Sequence, residues 1–273
     1  MENNHSCQIG DFTVGTGKLS VIAGPCMAES YDLCLEVATE LKQICTELDI
    51  NFAFKASFDK ANRSSVESYR GPGIADGLAW LGDVRSKLGV PVVTDIHETQ
   101  QAAVAGEVVD CLQIPAFLSR QTDLLVAAGN TGKAVNVKKG QFMAPDDMSN
   151  VVEKIRSTGN QNVLVTDRGT FFGYNRLVTD FRCIPLMSKY APTCFDATHS
   201  VQEPGGLGTA SGGQRQFAPL LAYAAMSVGA DALFIETHPE PAKAKSDAAC
   251  QIPLDQMKQV LAKCKAHFDL AKS

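Results

Sequence analysis

Short apolar runs rich in β-branched and aromatic residues recur along the chain, and the stretches between them have room for helices. Eight such runs predict strands: Leu19–Ala23, Phe52–Lys55, Val90–Thr94, Cys111–Ile114, Ala134–Val137, Val163–Thr166, Cys194–Ala197 and Ala232–Ile235. Tyr31–Leu48, with its apolar positions at helical spacing, reads as a helix, as do Met148–Thr158, Ala218–Val228 and Leu254–Ala271. Alternating β and α segments imply a parallel sheet. Eight such units close more naturally into a (β/α)8 TIM barrel than into an open doubly wound sheet, so an α/β barrel is the expected fold. Upstream, Gln8–Val14 followed by Gly15-Thr16-Gly17 predicts a small N-terminal hairpin that closes the barrel bottom.

Length supports that reading, since 273 residues match the roughly 250 of a single α/β barrel, and residues 1–273 are expected to form one catalytic domain. With Lys+Arg at 25 and Asp+Glu at 30, the net charge of -5 gives no global attraction to nucleic acid or to an anionic membrane. An anionic ligand therefore has to be captured locally. No apolar run approaches the roughly 20 residues of a membrane span, and the polar start Met1-Glu2-Asn3-Asn4-His5 lacks the apolar core of a signal peptide, so a cytoplasmic location is expected. The nine cysteines are scattered without a close metal-binding pair, which suits reduced thiols better than a disulfide framework.

In a (β/α)8 barrel the chemistry sits at the C-terminal ends of the strands. Here those ends read Gly24-Pro25-Cys26, Lys55-Ala56-Ser57, Thr94–Glu98, Gln113-Ile114-Pro115, Lys138-Lys139, Asp167-Arg168-Gly169, Asp196–His199 and Glu236-Thr237-His238. One polar end alone reads as the start of a solvated loop; eight together favour a site. Lys55, Lys60, Lys138 and Arg168 converge on one mouth, where like charges repel unless an anion sits among them, so the expected substrate is a small polyanion. Lys60-Ala61-Asn62-Arg63-Ser64-Ser65 offers a second phosphate-friendly loop. Ser64 or Ser65 also reads as the N-cap of a helix starting near Val66, and the two roles are compatible because helix N-termini bind phosphate.

Barrel closure makes the first, seventh and eighth strands neighbours, which brings Cys26, His199, Glu236 and Asp247 together as a donor set for a divalent transition metal. One thiolate, one imidazole and two carboxylates mix soft and hard donors, leaving Zn, Fe, Mn and Co open. A buried thiol is the commoner reading of Cys26 taken alone; its position after the first strand changes that. His97 and His238 read as residues that order neighbours through hydrogen bonds. Asp95 and Glu98 are read either as acid/base groups or as charges that offset the lysines.

The stretch Phe54-Lys55-Ala56-Ser57-Phe58-Asp59-Lys60-Ala61-Asn62-Arg63-Ser64-Ser65 resembles the signature of 3-deoxy-D-manno-octulosonate 8-phosphate synthases. Thr94–Glu98, Gln113–Asp123, Asn136–Phe142, Asp167–Tyr174, Phe195–Gln202, Ser211–Arg215 and Phe234–Pro239 extend the similarity over most of the chain. The resemblance implies condensation of phosphoenolpyruvate with D-arabinose 5-phosphate and water, yielding an eight-carbon sugar acid phosphate for lipopolysaccharide and inorganic phosphate. It implies that Lys55, Ser57, Lys60, Gln113, Lys138, Arg168 and His199 hold phosphoenolpyruvate and that Asn62, Arg63 and Ser64 hold the arabinose phosphate. It also implies a homotetramer in which Arg120, beside Phe117, reaches a neighbouring subunit's site. Cys26 and Ser246-Asp247-Ala248 resemble the metal-dependent members, which carry Cys where others carry Asn.

Rival readings are the seven-carbon heptulosonate synthases, whose loop after the second strand has a Lys-Pro-Arg-Thr type motif instead, a Schiff-base aldolase using Lys55 or Lys138, and a non-catalytic sugar-phosphate sensor. The loops Gln202–Gly213 and Ala242–Cys250 are expected to act as lids.

Overall fold

Alternate residues of a barrel strand point inward, and this period of two organises the computed structural model, which describes residues 5–63, 65–205 and 212–273. The chain opens with an antiparallel hairpin, β1 (Cys7–Ile9) and β2 (Phe12–Val14). Six strands follow: β3 (Ser20–Gly24), β4 (Asn51–Lys55), β5 (Val92–Asp95), β6 (Cys111–Ile114), β7 (Ala134–Lys138) and β8 (Val163–Asp167). A two-residue hairpin, β9 (Thr170–Phe171) and β10 (Leu177–Val178), precedes β11 (Thr193–Asp196), and a second, β12 (Gln202–Glu203) and β13 (Gly212–Gly213), precedes β14 (Ala232–His238) and β15 (Ile252–Pro253). Each of β3 to β7 pairs in parallel with the next, β8 pairs with β11, β11 with β14, and β14 with β3. That last pairing closes a (β/α)8 barrel and rules out the open sheet.

Helices α1 (Tyr31–Glu47), α2 (Ile74–Leu88), α3 (Thr99–Val108), α4 (Thr122–Asn130), α5 (Met148–Arg156), α6 (Cys183–Met187), α7 (Ala218–Ser227) and α8 (Met257–Lys272) surround it. Local chemistry sets their limits. Ser30 caps α1 by accepting a hydrogen bond from Leu33 N at 3.2 Å, and α2 stops at Gly89, whose φ of 61° lies in the left-handed region. The last helix starts at Met257 because Leu254–Gln256 winds as a tighter 3₁₀ turn. The helix expected near Val66 does not form. Ser65 Oγ accepts from Glu67 N at 3.3 Å and closes a turn, and the Gly71-Pro72-Gly73 step, with φ of 128° at Gly71, delays α2 until Ile74.

Outward strand residues such as Val21, Phe54, Leu112, Val165 and Leu233 pack under the helices in one apolar cluster. Inward residues from the lower half, among them Ile22, Val93, Leu164 and Phe234, form a second cluster with Cys7, Ile9 and Val14 of the N-terminal hairpin, which plugs the bottom as expected. Further up the same inward rows stand Lys55, Asp95, Gln113, Lys138, Asp196 and Glu236, all buried. The barrel is thus dry and apolar below and charged at the mouth. Gly24 is required at that rim: a β-carbon there would lie 2.0 Å from the Lys55 carbonyl oxygen. Among the described residues no helix is long and apolar enough to cross a membrane.

Candidate active site

The end of β4 supplies the first constellation. Lys55 Nζ donates to Ser57 Oγ at 2.8 Å and lies 3.6 Å from Asp95 and 3.7 Å from Glu236. Burying an ammonium costs several kcal/mol, and the two flanking carboxylates offset that cost at a side chain that is 2% exposed. Lys60 Nζ also donates to Ser57 Oγ, at 3.0 Å, and Ser57 in turn donates to Asp95. The other Asp95 oxygen meets His97 Nε2 at 3.1 Å. Burial pushes the Asp95 carboxyl up, but Lys55, the His97 hydrogen bond and Lys60 outweigh it and hold the group well below the usual carboxylate range. A carboxylate so stabilised is a weak base near neutrality, which favours its charge-offsetting role. Glu98 lies apart, exposed at the start of α3, where its backbone N–H donates to Gln101 Oε1 at 3.2 Å.

The second constellation lies where β14 meets β3 and β11. Donor atoms of Cys26, Glu236 and Asp247 fall within 4.8 Å of one another. Cys26 Sγ is 3.3 Å from Asp247 Oδ2, and His199 Nε2 faces the same group at 3.6 Å from Asp247 Oδ2 and 3.8 Å from Glu236 Oε1. The four residues expected from sequence therefore do converge. On its other side, His199 Nδ1 sits 2.8 Å from Asp196 Oδ2, which orients the ring and leaves Nε2 toward the cluster. Glu236 is 1% exposed, and neither carboxylate oxygen has a hydrogen-bond partner among the described residues. Two buried, unpartnered carboxyl oxygens beside a thiol and an imidazole nitrogen fit a divalent cation. Burial, then Glu236, raises the Cys26 thiol well above its ordinary range, while His199 and Lys60 hold Asp247 down against its burial.

Phe234 forms the floor between these groups. Lys138 Nζ stands 3.5 Å above its ring centroid and Lys55 Nζ 5.6 Å from it. Lys138 is also paired with Asp196, whose carboxyl is held low by His199 and Lys138 despite burial. The crowding of cations expected from sequence is thus partly offset within the chain. Arg168 and Lys60 are different, since neither has a carboxylate in salt-bridge range among the described residues. Arg168, 5% exposed, donates only to neutral acceptors: Nη2 reaches the His199 carbonyl at 3.2 Å and Gln202 Oε1 at 2.9 Å, and Nε has no partner among the described residues. Burial lowers its pKa. Gln113 joins the mouth through a chain in which Thr166 Oγ1 donates to Asn136 at 2.6 Å and Asn136 Nδ2 to Gln113 Oε1 at 3.3 Å.

Other expected residues stand further out. Asn62 is exposed, Ser64 lies outside the described residues, and Arg63 turns to the opposite loop, donating to Ser246 Oγ at 3.0 Å, to the Lys245 carbonyl and to Tyr69 O at 3.1 Å. Phe117 and Arg120 are exposed on the loop after β6. His238 accepts from Glu240 N at 2.9 Å, an ordering role as expected. Of the two expected lids, residues 206–211 of the first lie outside the described residues. Gln202 was not singled out from sequence, yet its amide bridges Arg168 and Asp247, donating to Asp247 Oδ1 at 2.9 Å. No motif signals it; only the spacing of three residues after His199 could have.

Fold and site place the chain among the (β/α)8 barrels with a charged mouth. The family model described as the DAHP synthetase I family matches residues 2–273. Curated relatives named 2-dehydro-3-deoxyphosphooctonate aldolase are similar almost end to end. That of Granulibacter bethesdensis is 58% identical over 93% of this chain and 90% of its own. That of Cyanothece sp. is 56% identical over 92% and 93%, and that of Nitrobacter winogradskyi 53% identical over 97% and 93%. The chain belongs to the DAHP synthetase I family, and within it to the 2-dehydro-3-deoxyphosphooctonate aldolases, also called 3-deoxy-8-phosphooctulonate synthases.

Proposed function

We propose that this barrel condenses phosphoenolpyruvate with D-arabinose 5-phosphate and water to give 3-deoxy-D-manno-octulosonate 8-phosphate and inorganic phosphate, a cytoplasmic step toward lipopolysaccharide. The observation that carries this reading is a mouth in which two cations without a carboxylate partner among the described residues, Lys60 and Arg168, stand beside the cluster of Cys26, His199, Glu236 and Asp247. Arg168 offers a fork to the phosphate or carboxylate of phosphoenolpyruvate, and Lys55, Lys60, Lys138, Ser57, Gln113 and His199 complete that subsite. Asn62, Arg63 and Ser64 receive the sugar phosphate, with Arg63 exchanging its loop contacts for it.

In the reaction, C3 of phosphoenolpyruvate bonds to the aldehyde carbon of the open-chain sugar, water adds at C2, and phosphate leaves with cleavage of the carbon–oxygen bond. The cations stabilise charge that develops on the carboxylate and phosphate. Cys26, His199, Glu236 and Asp247 would hold a divalent transition metal, which supplies Lewis-acid charge when bound. Asp95 keeps Ser57 and the two lysines in place.

Phosphate release with arabinose 5-phosphate and with erythrose 4-phosphate tests the substrate assignment. We expect a preference of at least about 100-fold for the five-carbon sugar, because a buried polar site left unpaired by the shorter substrate forfeits several kcal/mol. Preference for erythrose 4-phosphate would establish the seven-carbon reaction instead.

We also infer a homotetramer. Phe117, Phe142, Phe171 and Phe172 are exposed by 49%, 51%, 43% and 70% on the loops after β6, β7 and β8, and Phe171 N donates to Gln141 O at 2.9 Å, which makes two of those loops neighbours. Such apolar surface seeks a partner. Sedimentation at assay concentration should give a tetramer; a monomer would exclude any sharing of Arg120 between sites.

A further inference from the structure

We propose that Gln251 is a positioning residue that fixes the separation of two metal ligands, a reading that rests on the metal centre proposed above. Gln251 follows the loop that carries Asp247, and its side chain is 0% exposed. Its Oε1 accepts from Cys26 N at 3.2 Å, and its Nε2 donates to the Ser246 carbonyl at 2.8 Å. One rigid amide therefore ties the backbone of one ligand to the residue before another, across two loops far apart in sequence.

Its own placement is secured by β15, which pairs in parallel with the end of β14, Thr237 opposite Ile252. The same strand, β14, carries Glu236. The link thus runs from β14 through β15 and Gln251 to Cys26 and Asp247, so three ligands share one frame. Asp247 needs that frame, because its φ of 48° is a conformation that residues other than glycine rarely adopt and that persists only when its surroundings over-determine it. Cys250 N at 2.9 Å and Gln251 N at 3.3 Å both donate to its carbonyl, but these bonds hold the loop to itself. The Gln251 side chain ties its backbone to that of Cys26, alongside the direct bond from Cys26 Sγ to Asp247 Oδ2. With that tie removed, Cys26 Sγ and Asp247 Oδ2 lose the backbone link that supports their 3.3 Å contact.

The test compares wild type, Gln251→Leu and Gln251→Glu, each stripped of metal and titrated with zinc against a chromophoric chelator. Turnover is measured at limiting and at saturating zinc. Partners that orient metal ligands typically contribute 10- to 100-fold in affinity, so we expect Gln251→Leu to bind zinc about 10- to 100-fold more weakly and to regain most of its turnover at saturating zinc. Gln251→Glu keeps the acceptor for Cys26 N and loses the donor to Ser246, so it should fall between the two, and it carries the test if the leucine variant fails to fold. Zinc affinity within twofold of wild type in the variants, with only a lowered melting temperature, would reduce Gln251 to a structural filler and overturn the proposal. Absence of tight zinc binding by wild type would instead remove the metal centre itself.

Discussion

Stripping the enzyme with a chelator should lower turnover by about 100- to 1,000-fold, and adding back a divalent transition metal should restore it. Lewis-acid stabilisation is worth several kcal/mol, and each 1.36 kcal/mol or so is a factor of ten in rate. Glu236 makes the expectation specific. Its two buried oxygens have no hydrogen-bond partner among the described residues, and a buried polar group left unpartnered is costly unless a ligand such as a cation meets it. Lys55 at 3.7 Å supplies part of that charge but is shared with Asp95. Circular dichroism of the stripped protein separates loss of metal from loss of fold. Full turnover from protein shown to be metal-free would contradict the assignment of all four ligands.

The affinity for metal should climb with pH. Burial and Glu236 raise the Cys26 thiol well above its ordinary value, so near neutrality it carries a proton that ligation must release. His199 is also raised, since Asp196 and Glu236 outweigh its burial, so binding below its pKa releases a second proton. Each released proton contributes a factor of about ten per pH unit. Competition titrations between pH 6 and 8 should therefore give at least one decade of affinity per unit, and a flat profile would mean that Cys26 does not bind as thiolate.

The strands were legible because their outward faces pack under helices and must be apolar. Their ends were harder to read. β14 runs on through Glu236 and Thr237 to His238, beyond Ile235, because polar residues inside the mouth are satisfied by opposite charges rather than by water. Pro91 shifts β5 the other way, since it has no N–H to give a neighbouring strand. α2 escaped notice, with glycines at 77 and 82 weakening its pattern. The convergence of Cys26, His199, Glu236 and Asp247 followed from barrel closure alone, a topological argument that needs no distances. What sequence could not show was the pairing. That Lys55 and Lys138 are matched by carboxylates while Arg168, among the described residues, is not depends on which side chains meet across strands distant in sequence. Arg63 turned toward Ser246 and the amide bridges of Gln202 and Gln251 are loop contacts that leave no periodic trace.

Arg168→Ala should reduce kcat/KM for phosphoenolpyruvate by about 100- to 1,000-fold, the range seen when one donor to developing charge is removed from a dry site. Its effect on folding should be small. A buried cation held by carboxylates leaves an uncompensated charge when it is lost, at a cost of about 3–5 kcal/mol. Arg168 has no such partner among the described residues; its bonds go to the His199 carbonyl and to Gln202, and burial works against its charge and lowers its pKa. Removing it relieves a desolvation cost while losing two hydrogen bonds of about 1 kcal/mol each, so unfolding free energy should move by no more than about 1–2 kcal/mol. Arg168→Lys should recover only part of the loss, because an ammonium presents a point charge where the guanidinium presents a fork. Calorimetry with phosphoenolpyruvate should show weakened binding in both variants. Near wild-type efficiency in the alanine variant, or a collapse in stability that accounts for the lost activity, would show that this cation serves the fold and not the substrate.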